Sequence, residues 1–310
     1  MRAIFLGTPK FAVPSLDALY KCAEVVAVVC QPDRERDRKG RIIEGAVKKR
    51  AEELNIPIFQ FEKIRRDGAE ILRSLAPDIM ITCAYGQILS QEILDIAPLG
   101  VLNVHGSILP RYRGSAPIQR ALINGEKETG VTIMKTDIGM DTGAILSVEK
   151  LPISDGDYVD DLYEKLSVIG AELLVRTLAD YADGKIQPVA QDDALATNAP
   201  PLAKEEAYLD FNSSAVAIRN IIRGFGYGVC DFRGDPIKIY RAEIANNVEE
   251  GIGGTVVKAA KNDFIVACGD GALAITEVQA SGKKRMRAVD FLNGMRVQPG
   301  EKLTKIGGNE

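Results

Sequence analysis

Three polar side chains in the middle of the chain have types and spacing that suit acyl-transfer chemistry. Asn103 and His105 lie two positions apart at the end of an apolar run, so they project from the same face of an extended strand. Asp141 follows a second extended run and lies in a turn that is rich in glycine. If the two runs form one sheet, these three side chains can converge on one crevice.

Each of these groups has a defined use in acyl transfer. An Asn amide is a neutral donor for a developing oxyanion, and a His imidazole carries protons near neutral pH. A nearby carboxylate can hold the tautomer of that imidazole. The nucleophile motif G-x-S-x-G is absent, which indicates direct transfer to an incoming nucleophile without a covalent acyl-enzyme. On the pattern alone, the alternative is that the Asn–His pair only caps a strand and the Asp only shapes a turn.

Strands and helices alternate around these residues. We predict strands at 3–7, 24–30, 78–83 and 100–104, with helices near 11–22, 46–54 and 116–124. We also predict a strand pair at 130–135 and 144–149, and then a long helix at 159–182. This succession predicts a doubly wound, mostly parallel α/β sheet, a Rossmann-like fold whose ligand crevice lies at the carboxyl ends of the strands.

The composition changes after the long helix. Residues 184–206 contain three prolines and no clear periodicity, which predicts a linker. Short β runs then alternate with Gly, Asn and Asp turns, which predicts a small OB-like β-barrel or a sandwich. Its elements are expected at 213–223 (helix) and at 236–241, 253–258, 263–267 and 272–277 (strands). We therefore expect a catalytic domain at 1–187, a linker at 188–205 and a β-barrel domain at 206–310.

The bulk composition excludes several classes of protein. The chain has 310 residues, and no apolar run approaches the roughly 20 residues of a membrane-spanning helix. The first apolar run is too short for a signal peptide, and the five cysteines lack metal-ligand spacing. We therefore expect a cytoplasmic protein without disulfides. Because His105 is the single histidine, a multi-histidine metal site is excluded, and we expect no metal.

Basic charge is confined to patches in a chain whose net charge is −4. Residues 34–50 hold eight Lys or Arg against three Asp or Glu. Lys283, Lys284, Arg285 and Arg287 form a second cluster. Charge alone leaves two interpretations of each cluster: a solvated surface segment, or a contact with a nucleic-acid backbone.

Several motifs resemble those of the methionyl-tRNA formyltransferases. The main ones are Asn103-Val-His105-Gly-Ser-Ile-Leu-Pro110-Arg-Tyr-Arg-Gly114, Ala116-Pro-Ile-Gln119 and Asp137-Ile-Gly-Met-Asp141-Thr-Gly143. Others are Phe5-Leu-Gly-Thr-Pro-Lys-Phe11, Gln31-Pro-Asp-Arg34, Ala84-Tyr-Gly-Gln-Ile-Leu89, Lys204-Glu-Glu206 and Gly282-Lys-Lys284. The resemblance runs nearly end to end. It is more specific than the Asn–His–Asp set, which all transferases that depend on 10-formyltetrahydrofolate share.

The resemblance implies a role for individual residues. Asn103, His105 and Asp141 correspond to the catalytic trio. The loop that holds the reduced folate corresponds to Ser107, Ile108, Leu109 and Pro110. The wall of the pteridine pocket corresponds to Tyr85, Gly86, Ile88 and Leu89, together with the backbone of 137–141. The implied formyl donor is 10-formyltetrahydrofolate, and the implied acceptor is the α-amine of initiator Met-tRNA.

The same resemblance implies tRNA contacts in two places. In the family, an insertion loop after the second strand enters the acceptor stem of the tRNA, and Arg38 falls on its key arginine. The expected contacts are Arg36, Arg38, Lys39 and Arg41 in that loop, and Lys283, Lys284 and Arg285 in the C-terminal domain. No membrane and no protein partner is implied, and we expect a monomer.

Two other functions stay open from the residues. The first is another formyltetrahydrofolate enzyme, which would act on a small-molecule acceptor such as a ribonucleotide or an amino sugar, or would release formate as a hydrolase. The basic loop at 34–50 and the C-terminal barrel argue against it. The second is an RNA-binding protein without catalysis, and the presence of the complete Asn–His–Asp set argues against that.

Overall fold

The chain forms two compact units. The computed structural model describes residues 1–34, 40, 42–246, 251–260 and 263–307. Unit 1 comprises Met1–Pro117, Glu128–Ile153 and Leu162–Pro200, and unit 2 comprises Ile118–Lys127, Ser154–Asp161 and Pro201–Glu310. The predicted domain limits at 187 and 206 stay predictions.

The first 182 residues alternate between strands and helices. In chain order they are β1 (Arg2–Gly7), α1 (Val13–Cys22), β2 (Glu24–Cys30), α2 (Ala46–Glu53), β3 (Ile58–Gln60), α3 (Ile64–Asp67), α4 (Ala69–Ser74), β4 (Ile79–Cys83), α5 (Gln91–Leu94), β5 (Val101–His105), α6 (Pro117–Ile123), β6 (Glu128–Lys135), β7 (Ile145–Pro152) and α7 (Val159–Ala182). The predicted strands and the long helix are present, and a single-turn 3₁₀ helix at Lys10–Ala12 precedes α1. β3 and the short helices α3, α4 and α5 were not predicted.

The strands of unit 1 form one mostly parallel sheet. Among the described residues its order is β3-β2-β1-β4-β5-β6-β7. Neighbouring strands are parallel from β3 through to β5, and β6 and β7 add antiparallel partners at one edge. The prediction of a doubly wound, Rossmann-like sheet is therefore confirmed. In β6, Thr132 lies opposite His105 and Lys135 lies opposite Leu102.

The core of unit 1 explains why its strands are nearly continuous apolar runs. Parallel strands that carry helices on both faces bury both sets of side chains. Accordingly, Ile4 and Leu6 of β1 pack with Leu72 of α4 and Ile93 of α5 on one face, and all four are fully buried. Burying one such side chain stabilises the fold by about 1.5–3 kcal/mol.

Unit 2 is built around an antiparallel sheet. Its elements after residue 200 are α8 (Ala215–Phe225), β8 (Gly228–Phe232), β9 (Asp235–Ala245), β10 (Val256–Ala260), β11 (Asp263–Ala267), β12 (Ala272–Gln279), β13 (Met286–Arg287), α9 (Ala288–Met295) and β14 (Leu303–Thr304). Within the described ranges the strand order is β10-β11-β12-β9-β8-β14, with β13 paired to β12. This curled sheet fits the OB-like domain that was predicted. β8, β13, β14 and α9 were not predicted.

Aromatic side chains fill the core of unit 2. The ring centroid of Phe291 in α9 lies 5.9 Å from that of Phe264 and 5.8 Å from that of Phe232. Ser214 caps the N-terminus of α8, and its hydroxyl accepts a hydrogen bond from the Ala217 N–H. A Ser at this position satisfies a backbone donor that the first helical turn leaves unpaired.

The cysteines and the helices bear on two predictions made from composition. All five cysteines are free in the structure. Among the helices that the structure describes, none is long and apolar enough to cross a bilayer.

Candidate active site

β5 presents Asn103 and His105 on one face of the sheet while Leu102 and Val104 pack in the core. His105 is 5% exposed. The neighbouring strand β4 places Thr82 directly opposite Asn103, and the Thr82 hydroxyl donates to Asn103 Oδ1 over 2.9 Å. That contact turns the amide nitrogen of Asn103 towards Asp141, whose Oδ1 accepts from Asn103 Nδ2 over 3.4 Å. Thr82 therefore orients the amide.

The tautomer of His105 is set by its two neighbours. Its Nε2 lies 2.9 Å from the carbonyl oxygen of Tyr112. Because a carbonyl oxygen only accepts, Nε2 must carry a hydrogen and donate it. Its Nδ1 faces Asp141 Oδ2 at 3.6 Å. Nδ1 is thus the ring nitrogen that can gain or lose a proton while the bond to Tyr112 is kept.

Asp141 reaches this pair from the far end of β5. Because Lys135 lies opposite Leu102, β6 ends beside the beginning of β5, and the Thr136 N–H donates to the Val101 carbonyl over 2.7 Å. The connection to β7 must then turn back across the sheet face to bring Asp141 to His105. The Gly114 N–H holds the carboxylate there, donating to Oδ2 over 2.8 Å.

Local contacts shape the loop 136–144 that carries Asp141. Asp137 Oδ1 accepts from the Gly139 N–H over 3.1 Å and from the Thr142 hydroxyl over 2.7 Å. A Cβ on Gly143 would lie only 1.8 Å from the Lys135 carbonyl oxygen, so this position requires glycine. Asp141 itself has a φ of +54°, a left-handed conformation that Asp tolerates better than most residues.

The loop predicted to hold the folate is tied to β6. Thr132 donates its hydroxyl hydrogen to the Ser107 carbonyl over 2.7 Å, and it accepts from the Leu109 N–H over 3.1 Å. The buried Ser107 hydroxyl donates to the Arg111 carbonyl over 2.7 Å. Ile108 and Pro110 are half-buried, and Leu109 is buried. The backbone of this loop is therefore held in one conformation next to His105.

The segment predicted to wall the pteridine pocket has one buried part and one exposed part. Tyr85 and Leu89 pack in the core of unit 1 and are 3% and 6% exposed. Burial raises the pKa of the Tyr85 hydroxyl, which has no hydrogen-bond partner among the described residues. Gly86 has a φ of +81°, and the following Ile88 side chain is 66% exposed. Tyr85 and Leu89 thus anchor the segment, and Ile88 faces outward.

Two further large apolar side chains lie exposed on the loop of Asp141. Ile138 is 69% exposed and Met140 is 67% exposed. Ile88 follows β4, and Ile138 and Met140 follow β6; these two strands are the neighbours of β5 in the sheet. Exposed apolar side chains close to converging polar groups are typical of a site that binds a largely apolar ring.

The thiols near the strand ends are unsuited to nucleophilic catalysis. Cys30 ends β2 and Cys83 ends β4, and both are buried. Burial raises the pKa of each thiol to about 12. Since the thiolate is the reactive form, neither cysteine forms an acyl-enzyme readily at neutral pH. This agrees with direct transfer to the acceptor.

The predicted tRNA contacts are only partly described. Arg36, Arg38, Lys39 and Arg41 lie outside the described residues. Lys283 and Lys284 are exposed in the turn between β12 and β13. Arg285 donates through Nε to Glu277 over 2.7 Å, and its guanidinium lies 4.5 Å from the ring centroid of Tyr240. Lys283 and Lys284 therefore point their charge to solvent, whereas Arg285 is engaged within unit 2.

Three residues at the site were missed by sequence reasoning. They are Thr82, Gly114 and Gln191. Thr82 gave a signal, because it is the polar residue in an otherwise apolar strand. Gly114 and Gln191 act through contacts between residues far apart in sequence, for which one sequence offers no signal. Within the described ranges, no group of three or more His, Cys, Asp or Glu side chains is placed to hold a metal ion.

Comparisons with known proteins cover nearly the whole chain. Residues 1–178 match the family model described as formyl transferase, and residues 201–296 match the formyl transferase C-terminal domain. The chain is 42% identical over 308 residues to a methionyl-tRNA formyltransferase of Solibacter usitatus, with 98% of each chain covered. It is 43% identical over 310 residues to the methionyl-tRNA formyltransferase of Citrifermentans bemidjiense, covering 98% of this chain and 97% of that one.

A solved structure with a similar fold is the sugar 3N-formyl transferase WlaRD, crystallised in the presence of dTDP and 5-N-formyl-THF. The TM-score is 0.67, over 92% of this chain and 99% of that one. At 23% sequence identity, this likeness supports the fold alone.

Proposed function

The chain belongs to the methionyl-tRNA formyltransferases, and we propose that Asn103, His105 and Asp141 carry out the formyl transfer of that family. The protein transfers the formyl group of 10-formyltetrahydrofolate to the α-amino group of initiator methionyl-tRNA. The observation that carries the assignment of residues is the convergence of Asn103 and His105 on the carboxylate of Asp141. Asp141 faces the Asn103 amide through Oδ1, and it faces the His105 ring through Oδ2.

The residues around this trio suit a reduced folate. When bound, the folate supplies an activated formyl group on N10. The exposed side chains of Ile88, Ile138 and Met140 offer apolar surface for its ring system. The backbone of 107–110, held by Thr132, would fix the ligand beside His105. Tyr85 and Leu89 would hold the segment that carries Ile88 in place from within the core.

Asn103 stabilises negative charge on the formyl oxygen. Among the described residues only Asp141 accepts from Asn103 Nδ2, so the second N–H of that amide can donate to the substrate. Thr82 holds the amide oxygen, and the donor side therefore faces the crevice. Donors that are fixed before the charge develops lower the barrier without reorganisation, and one of them is worth about 2.7–4 kcal/mol.

His105 and Asp141 move the protons. The α-amine forms a bond to the formyl carbon and must lose a proton, while N10 must gain one as its bond to that carbon breaks. Nδ1 of His105 takes part in this exchange, because Nε2 is committed to the Tyr112 carbonyl. When Nδ1 is protonated, Asp141 faces the resulting cation at 3.6 Å and stabilises it. The positive charge that this proton brings to the ring also stabilises the oxyanion electrostatically.

Several finer statements are part of this proposal. The tRNA would contact Arg36, Arg38, Lys39 and Arg41 after β2, and Lys283, Lys284 and Arg285 in unit 2. The transfer would need no metal. The protein would act as a cytoplasmic monomer. No observation favours the alternative acceptors, an amino sugar or a ribonucleotide.

A comparison of acceptors tests the function. The protein would be given labelled 10-formyltetrahydrofolate with charged initiator tRNA, with charged elongator tRNA, or with free amino sugars and aminoribonucleotides. We expect rapid formylation of the initiator Met-tRNA and at least about 100-fold lower kcat/KM with the free small molecules, because most of the binding energy comes from the tRNA. Equal rates with a small-molecule acceptor would overturn the assignment.

A further inference from the structure

Residues 189–199, here called the strap, bind along both loops of the candidate active site. Val189 exchanges two backbone hydrogen bonds of 2.8 Å with Ile145, just after the loop of Asp141. At its other end, the strap forms a parallel bridge between Asn198 and Arg113. The Thr197 hydroxyl accepts from the Tyr112 N–H over 2.9 Å. The strap thus spans from β7 to the segment 112–114 that follows the folate loop.

Gln191 occupies the centre of the strap. Its Nε2 donates to the backbone carbonyls of Asp141 over 2.9 Å and of Gly143 over 2.7 Å. Its Oε1 accepts from Nε of Arg113 over 3.0 Å and from Nη2 of Arg113 over 2.8 Å. A primary amide has two N–H donors and two acceptor lone pairs, so this side chain is fully satisfied. Because all four hydrogen bonds are made, both the position of the side chain and the orientation of its amide are fixed.

These contacts close a ring around the catalytic carboxylate. Gln191 holds the backbone of Asp141 on one side and the Arg113 guanidinium on the other. The next residue, Gly114, donates its N–H to the carboxylate of the same Asp141. The main chain of Asp141, through Gln191, and its side chain are therefore both held by the segment that contains Arg113 and Gly114. The same segment includes Tyr112, whose carbonyl accepts from His105 Nε2.

We propose that Gln191 is a positioning residue, which sets the distance between the Asp141 carboxylate and the His105 ring by holding the loop 136–144 to Arg113. The proposal rests on the proposed function, since it matters only if these two residues carry the proton transfer. All four hydrogen-bonding positions of the Gln191 amide are used within the protein, so none is left for the substrate. The effect of Gln191 is therefore on turnover and on the environment of His105 Nδ1, and only weakly on substrate binding.

Two substitutions separate positioning from folding. Gln191→Leu removes all four hydrogen bonds at similar volume. Gln191→Glu keeps the acceptor for Arg113 and strengthens that pair, but it sets a carboxylate against the two loop carbonyls. Gln191→Glu should therefore stay folded while the loop is displaced. The matched control is Asp192→Ala, which changes the next residue of the strap, where the side chain accepts from the Ala194 N–H within its own turn.

The readouts are steady-state kinetics and the resonances of the single histidine ring. With ¹⁵N-labelled histidine, the wild type should show a protonated Nε2. We expect both Gln191 variants to lower kcat by about 10- to 100-fold, as displacement of a catalytic group by about 1 Å does. KM for both substrates should stay within about 2-fold. The Nδ1 resonance should shift in both variants and not in Asp192→Ala.

The outcomes distinguish this inference from the proposed function. If both Gln191 variants keep the wild-type kcat and Nδ1 resonance while Asp141→Asn is inactive, the positioning role is wrong and the catalytic trio stands. If Asp141→Asn is as active as the wild type, the trio itself is wrong. If Gln191→Glu shifts the Nδ1 resonance and lowers kcat at an unchanged thermal midpoint, the result supports the role of Gln191 in positioning Asp141.

Discussion

Nδ1 of His105 lies 3.6 Å from Oδ2 of Asp141, although the two residues approach each other from opposite ends of β5. His105 is the last residue of that strand, whereas Asp141 follows β6, which ends beside the start of β5. Nothing in the strands themselves brings the two side chains together. Their meeting depends on contacts from other residues, chiefly the Gly114 N–H and the Gln191 amide.

Loss of the Thr82 hydroxyl should weaken catalysis through Asn103. Thr82→Val keeps the shape of the side chain but leaves the Asn103 amide oxygen without its donor. One hydrogen bond is worth about 0.5–1.5 kcal/mol, so we expect kcat to fall by roughly 2- to 13-fold. Thr82→Ser, which keeps the hydroxyl, should lose less activity. Equal kcat values for Thr82→Val and Thr82→Ser would show that the hydroxyl does not orient the amide.

Gly114→Ala should disturb both the strap and the catalytic carboxylate. An added Cβ would lie 2.8 Å from the Ala199 carbonyl oxygen, and the φ of Gly114 is +119°. An L-residue at this φ is strained by about 1–3 kcal/mol, so the segment must move and carry its N–H away from Asp141. We expect a lower thermal midpoint and at least about 10-fold lower kcat.

The matched control for that change is Gly156→Ala, where an added Cβ meets nothing within 4 Å. Its kcat and thermal midpoint should equal those of the wild type. Full activity in Gly114→Ala would show that the N–H of Gly114 does not position Asp141.

The ion pair between Arg120 and Glu206 should stabilise unit 2 only above acidic pH. Arg120 Nη2 donates to Glu206 Oε1 over 2.9 Å, and this guanidinium, together with the Ala203 N–H, holds the pKa of Glu206 below its usual value. A carboxylate with a lowered folded-state pKa contributes stability above its unfolded pKa and loses it as the pH falls through the folded value. Glu206→Gln should therefore lower the thermal midpoint at pH 7.

The size and the pH window of this effect can both be checked. Because the Glu206 side chain is 40% exposed, solvent screening limits the loss to about 1 kcal/mol or less. The difference from the wild type should shrink as the pH falls below the usual glutamate pKa of about 4.3, because the unfolded chain then takes up the proton first, and it should vanish below the lowered pKa of the folded chain. Thermal unfolding between pH 3.5 and 8 measures it, with Glu205→Gln as the control. A difference that persists unchanged at pH 3.5 would refute the linkage.

The turn of Lys283 and Lys284 should contribute to the salt dependence of tRNA binding. Each lysine that neutralises a duplex phosphate adds up to about 0.9 to the slope of log affinity against log salt. The double variant Lys283→Ala and Lys284→Ala should therefore bind more weakly at low salt and show a shallower slope, by about 1–2.

Filter binding or fluorescence titration across salt concentrations measures that slope. Lys21→Ala is the control. Lys21 lies at the end of α1, just before the beginning of β2, and therefore near the amino ends of the parallel strands, whereas His105 lies at their carboxyl ends. If the double variant and Lys21→Ala have the same slope as the wild type, the turn does not contact tRNA.

Much of the fold could be predicted from local pattern. Long apolar runs such as 24–30 and the 24-residue helix α7 give enough repeats to identify their type. β3 and α3 have three and four residues, too few to show a period, and their structure depends on packing. In the site, the spacing of Asn103 and His105 predicted their shared face because strands alternate strictly.

The rest of the site could not be predicted because it depends on long-range hydrogen bonds. Gln191 lies 50 residues from Asp141 in sequence, within a stretch whose prolines predicted a linker. Gly114 contributes a backbone N–H, which any residue other than proline also has. Only the folded chain shows that both groups hold Asp141, Gly114 at the carboxylate and Gln191 at the backbone carbonyl.

The most direct test of the central claim is a single-turnover formylation assay with Asp141→Asn. Wild type and variant would be mixed at saturating concentration with 10-formyltetrahydrofolate and Met-tRNA, and the first turnover followed by rapid quench. The substitution keeps the shape of the side chain but removes the charge opposite His105 Nδ1. We predict a rate at least about 100-fold lower, with the thermal midpoint and the affinity for folate nearly unchanged. A first-turnover rate within about 3-fold of the wild type would contradict the account, because proton transfer would then not need this carboxylate.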